Sequence, residues 1–101
     1  MKPISDKAEV SIDFPDKFYV GRFERESSVE ARAEGDGLYF RLARQGEEKR
    51  EVSVHLHHYV LATILSEWAS SLAKADPIDR AHAKELIDAL KQVEKALSRR
   101  K

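Results

Sequence analysis

Hydrophobic and polar positions alternate with a period of two through the first half of the chain and with helical spacing through the second. Ala8, Val10, Ile12 and Phe14 alternate with Glu9, Ser11 and Asp13, the pattern of a strand with one buried face. Pro15-Asp16 closes that run, because proline presets φ for a turn. Residues 1–7 before it are polar and are expected to be loose. The next β-rich run, Phe18 to Glu24, carries aromatic or aliphatic residues on both faces, which predicts cover on both sides. Gly21 within it marks a bulge or a close approach. Arg25-Glu26-Ser27-Ser28 reads as a turn. Val29, Ala31 and Ala33 then alternate with Glu30, Arg32 and Glu34, and Leu38, Phe40 and Leu42 alternate with Tyr39, Arg41 and Ala43. Two alternating runs around Gly35-Asp36-Gly37 make a hairpin. Gln45-Gly46-Glu47-Glu48 is the following turn, and Val52, Val54 and Leu56 alternate with Glu51, Ser53, His55 and His57 beyond it. Every connection is short, so neighbouring strands are expected to be antiparallel.

At His58 the period changes. Leu61, Ile64, Leu65, Trp68 and Leu72 fall on one helical stripe, which predicts a helix covering the apolar face of the sheet. Asp76 suits an N-cap and Pro77 a first helical residue, so a second helix is expected from there, with Asp79 in its first turn and Lys95, Arg99 and Arg100 near its end. Its stripe of Ala83, Leu86, Leu90, Val93 and Leu97 steps by three and four, the spacing of a coiled coil. The prediction is a single α+β domain: an antiparallel meander of four to five strands over residues 8–57, then helices over 58–75 and 77–99.

Length is consistent with one domain, since 101 residues build one modest core. Charged residues are 36% of the chain, yet the signs cancel to a formal net charge of zero, so long-range steering of nucleic acid is weak. A small positive excess lies in the tail of Lys95, Arg99, Arg100 and Lys101. The lack of cysteine excludes disulfides, thiolate metal sites and cysteine nucleophiles. No apolar run approaches the ~20 residues of a membrane helix. Met1 to Asp6 contains no apolar signal core. A cytoplasmic protein without membrane association is therefore expected.

The candidate chemistry is sparse. His55 and His57 project from one strand face, with His58 at the helix start. Alternate strand residues point together, so such a pair can hold a metal if the fold brings a third ligand, for which Asp13 or Glu51 would depend on register. The plainer reading is a solvated strand end. No serine sits in a Gly-x-Ser-x-Gly elbow, no Gly-rich phosphate loop is present, and no carboxylate lies in an apolar setting. Neither catalysis nor a cofactor is expected. On the outer sheet face, Tyr39 and Arg41 with Arg32, and with Arg22 and Arg44 if they cluster, offer the aromatic and cationic groups that stack on and neutralise a single strand of nucleic acid. The competing reading is cross-strand pairing, Arg32 with Glu30 and Glu34, and Arg41 with Glu51 or Glu30. Acidic residues outnumber basic ones on the outward positions of the clearly alternating strands.

The run Val29-Glu-Ala-Arg-Ala-Glu-Gly-Asp-Gly-Leu-Tyr-Phe-Arg-Leu-Ala-Arg44, continued by Arg50-Glu-Val-Ser-Val-His-Leu56 and the helix of Leu61 to Leu72, resembles the strand–turn–strand–loop–strand–helix order of PC4-like and Pur-type single-stranded nucleic-acid-binding modules. The resemblance covers about residues 18–74 and rests on order and hydrophobic pattern. It implies ββββα units that dimerise and grip nucleic acid on a curved sheet, with Tyr39 and Arg41 as the best-matched contact positions. The acidic outer face, the strand at 8–14 and the second helix lie outside that pattern. From the residues themselves, the expected role is a noncatalytic interaction module. It would be a homodimer or would bind a helical protein partner through Ala83, Leu86, Leu90, Val93 and Leu97. A single-stranded DNA or RNA binder is the alternative, and a small metal-binding protein or enzyme using His55, His57 and His58 the third.

Overall fold

A computed structural model describes residues 1–46 and 49–99. The protein is α+β, and the described residues form six strands followed by two C-terminal helices. The strands are β1 (Lys2–Pro3), β2 (Ala8–Phe14), β3 (Lys17–Phe23), β4 (Ser27–Glu34), β5 (Gly37–Arg44) and β6 (Arg50–His57). They form an antiparallel four-stranded sheet in the order β1-β4-β5-β6 and a separate antiparallel β2-β3 hairpin. The helices are α1 (His58–Lys74) and α2 (Arg80–Leu97). The chain divides into two compact units, Met1–Leu65 and Ser66–Lys101, with the boundary inside α1.

In the first unit, the expected meander is split in two. The N-terminal residues expected to be loose supply β1, which pairs Lys2 with Val29 and Pro3 with Ser28, so β4 is not left at the edge. Proline is tolerated there because an edge strand needs no donor on its free side. Ser27 and Ser28, read as turn, belong to β4. The turn before them is tightened by Glu26 at φ 73 and by the Ser27 N–H donating to the Glu24 carbonyl. The β2-β3 register runs without a bulge from Ala8–Phe23 to Phe14–Lys17. Gly21 instead makes room for an aromatic ring, since a Cβ there would stand 3.3 Å from the Phe23 ring. The cover expected on both faces of β3 is confined to Phe23, which is buried: Phe18 is 63% exposed, and Tyr19 and Val20 are exposed as well.

The four-stranded sheet has the two faces that its alternation predicts. Val29, Ala31 and Ala33 pair with Leu42, Phe40 and Leu38, which pair in turn with Val52, Val54 and Leu56. This apolar face is only partly sheltered: Leu42 is buried, the other β5 and β6 members are intermediate, and Ala31 and Ala33 are exposed. Among the described residues the buried apolar side chains are Phe23, Leu42 and Ala43.

In the second unit, α2 begins later than expected. Its N-cap is Asp79, not Asp76, because the Asp79 carboxylate accepts from the His82 backbone N–H (3.1 Å) and contacts the His82 ring. Pro77 lies outside the helix, which runs 80–97 in place of 77–99. The α1 helix ends at Lys74, one residue early. Neither helix contains a buried residue, although α1 carries the stripe expected to be covered. Glu47, Glu48, Arg100 and Lys101, part of the expected turn and of the basic tail, lie outside the described residues.

Candidate functional site

The polar face of the four-stranded sheet collects the side chains singled out above. Register places Glu30 opposite Arg41, Arg32 opposite Tyr39, Tyr39 opposite His55, and Gly37 opposite His57. Alternation then puts Glu30, Arg32, Glu34, Tyr39, Arg41, Ser53, His55 and His57 on one side. Arg44 opposes Ser27 and Arg50, so it falls on the other face, and Arg22 opposes Glu9 in the separate hairpin. Of the five residues expected to form a nucleic-acid platform, the fold unites Arg32, Tyr39 and Arg41 and leaves Arg22 and Arg44 elsewhere.

The united arginines are already engaged. Arg32 donates from Nε to Glu34 at 2.9 Å and pairs through Nη1 with Glu30. The hydrogen bond to Glu34 is the main cause of its raised pKa, reinforced by the charges of Glu34 and Glu30. Arg41 reaches Glu30 through Nη2 at 3.4 Å and Glu51 through Nη1 at 3.5 Å. Pairs this exposed add little stability, but they leave no uncompensated positive row for phosphate. The Arg32 guanidinium also lies 4.2 Å from the Tyr39 ring centroid. This cation–π contact occupies the aromatic face on which a base would stack.

Beyond Tyr39, at the end of the sheet, lies a second arrangement. His55 and His57 project together, their ring centroids 4.8 Å apart. Gly35-Asp36 is the loop between β4 and β5, and the pairing of Gly37 with His57 sets that loop level with the end of β6. The Asp36 carboxylate takes His55 Nε2 at 2.9 Å and His57 Nδ1 at 3.4 Å, while its backbone carbonyl accepts from the His58 N–H at 3.0 Å. Gly37 permits the approach: a Cβ there would stand 1.9 Å from the Leu56 carbonyl oxygen. Asp36 was missed among the candidate ligands, although reflecting the chain about its β5-β6 turn places residue 36 beside residues 57 and 58. Of the ligands that were considered, Asp13 lies in the separate hairpin and Glu51 is held by Arg41. His58 contributes its backbone to this corner.

The stripe of the second helix is at the surface. Leu86, Leu90, Val93 and Leu97 are all exposed, with Leu97 at 79%, and Ala83 is intermediate. Ile87, half exposed, widens this stripe beyond the expected heptad seam. Trp68, Leu72 and Ile78 of the same unit are also exposed. Among the described residues no helix is long and apolar enough to cross a membrane. No protein family, curated protein or solved structure matches this chain.

Proposed function

We propose that this protein is a noncatalytic interaction module that self-associates through its helical unit, in the simplest case as a homodimer. The observation that carries the reading is that neither helix contains a buried residue, although each bears an apolar stripe. Contiguous apolar surface of this kind marks an interface. A second copy is the occupant favoured here. Few apolar side chains among the described residues are buried, and the surface that completes the core must be present wherever the chain is. A second copy always meets that condition. The zero net charge sets no long-range repulsion between copies. The α2 flanks fit a bundle better than a two-stranded coil. Ile87 and the alanines Ala89 and Ala96 occupy positions beside the seam where charged residues specify two-stranded coils. A twofold bundle of helices is therefore the expected assembly.

Sedimentation velocity across a concentration series tests this. A dimer at tens of micromolar is expected, together with a melting temperature that rises with protein concentration, because association then contributes to folding. A monomer at all concentrations with a concentration-independent melting temperature refutes it. The single-stranded nucleic-acid reading has less support: Arg32 and Arg41 are each shared with two carboxylates, and Tyr39 is covered by Arg32.

A further inference from the structure

We propose that Asp36, His55 and His57 form a binding site for a divalent transition-metal ion of the zinc type. One ligand atom from each residue lies within 4.8 Å of the other two. A tetrahedral ion with bonds of about 2.0–2.2 Å to nitrogen and oxygen holds its ligand atoms roughly 3.3–3.6 Å apart. The carboxylate-to-imidazole separations, 2.9 Å from Oδ1 to His55 Nε2 and 3.4 Å from Oδ2 to His57 Nδ1, lie close to that spacing. Side-chain rotations that bring all three ligand atoms to that spacing would admit an ion.

The donor set points to the metal class. Two imidazoles and one carboxylate suit zinc, nickel and copper, whereas magnesium and calcium prefer oxygen alone. Three protein ligands leave a fourth position for water or an added donor, the form of an open zinc site. All three side chains are exposed, so an ion enters without displacing core residues. The backbone fixes two of the three directions: His55 and His57 share a strand face, and the Asp36 loop is tied to the chain after them by the His58 N–H bond. Each ring nitrogen that donates to Asp36 must give up its hydrogen to become a ligand, by exchange to the other nitrogen when the ring is neutral. The ion would then fasten the β4-β5 loop to the end of β6. The site owes nothing to the helical interface proposed above.

The test uses the full, untagged chain, stripped with chelator and titrated with zinc chloride by calorimetry, with imidazole resonances followed by NMR. One zinc per chain is expected, with the His55 and His57 ring signals moving together and His82 unmoved. Asp36→Asn and His57→Gln are each expected to weaken binding at least about tenfold, the loss that removal of even an outer-shell partner brings. His58→Gln and His82→Gln should stay within about twofold of the parent. The variants replace exposed side chains, and circular dichroism confirms that each is folded. The proposal is overturned by an absence of zinc uptake at about 100 μM protein. It is overturned equally if uptake survives Asp36→Asn and His57→Gln unchanged, or is lost as strongly in His58→Gln.

Discussion

Leu90 is the most direct probe of the proposed helical interface. It sits at the middle of the α2 stripe, between Leu86 and Val93, and is 44% exposed in the single chain. Fully burying a leucine side chain is worth about 1.5–3 kcal/mol, so covering the exposed 44% contributes roughly 1 kcal/mol per copy. A twofold interface uses the residue twice. Leu90→Ala is then expected to cost the dimer about 2 kcal/mol, a dissociation constant about thirtyfold weaker. Leu90→Glu keeps a good helix former but sets two carboxylates into the seam, where like charges facing each other cost several kcal/mol more. That variant is expected to be monomeric at every accessible concentration. Sedimentation velocity gives the dissociation constants, and far-UV circular dichroism at a dilution where the parent is monomeric reports whether the helix persists. The graded order of parent, alanine and glutamate is the essential result. If Leu90→Glu sediments as the parent does, the α2 stripe does not form the interface and the reasoning from exposed apolar area fails.

Three further outcomes follow from the first unit and from the α2 cap. Gly37→Ala should destabilise the four-stranded sheet by more than about 3 kcal/mol, beyond ordinary overpacking, because the added methyl meets the Leu56 carbonyl at 1.9 Å and backbone cannot yield as a side chain does; urea unfolding measures this, and a change within 1 kcal/mol would contradict the register. The hydrogen bonds from His82 hold the Asp79 carboxyl below the usual carboxylate range. The stabilisation it supplies is therefore complete above its unfolded pKa and lost as pH falls through its lower folded value. Helical signal should fall over that acid window in the parent and less in Asp79→Asn, which keeps an N-cap acceptor without the charge; identical acid profiles would show that the charge is idle. Fluorescence anisotropy with mixed single-stranded oligonucleotides should show no binding at low salt, and a strong, salt-sensitive signal would return the sheet face to consideration as a nucleic-acid platform.

Much of the local structure is present in the order of the residues. Alternation marked four strands, because a sheet with one apolar and one polar face imposes a period of two. The pairing of Arg32 with Glu30 and Glu34, and of Arg41 with Glu30 and Glu51, was also legible. The first pair of contacts lies between residues two apart on one strand, and the second depends only on the register that two short turns set. The cap of α2 was misplaced because Asp76-Pro77 and Asp79 are both sound helix starts, and the deciding contact with His82 lies one turn on. The β1 strand had no signal at all: two residues cannot display a period, and Lys2-Pro3 is ordered by β4, which is 25 residues away or more.

The division between sequence and tertiary structure is clearest at the two surfaces that carry the functional argument. Sequence alone determined that His55 and His57 share a face and that Leu86, Leu90, Val93 and Leu97 share a stripe, since both follow from the repeat of a single element. Tertiary structure decided that Asp36 completes the histidine pair, because that contact joins the β4-β5 loop to the end of β6 through the pairing of strands. It also left both helices without a buried residue. Periodicity states which side of an element avoids water; what covers that side is settled only by the packing of elements against one another or against another copy.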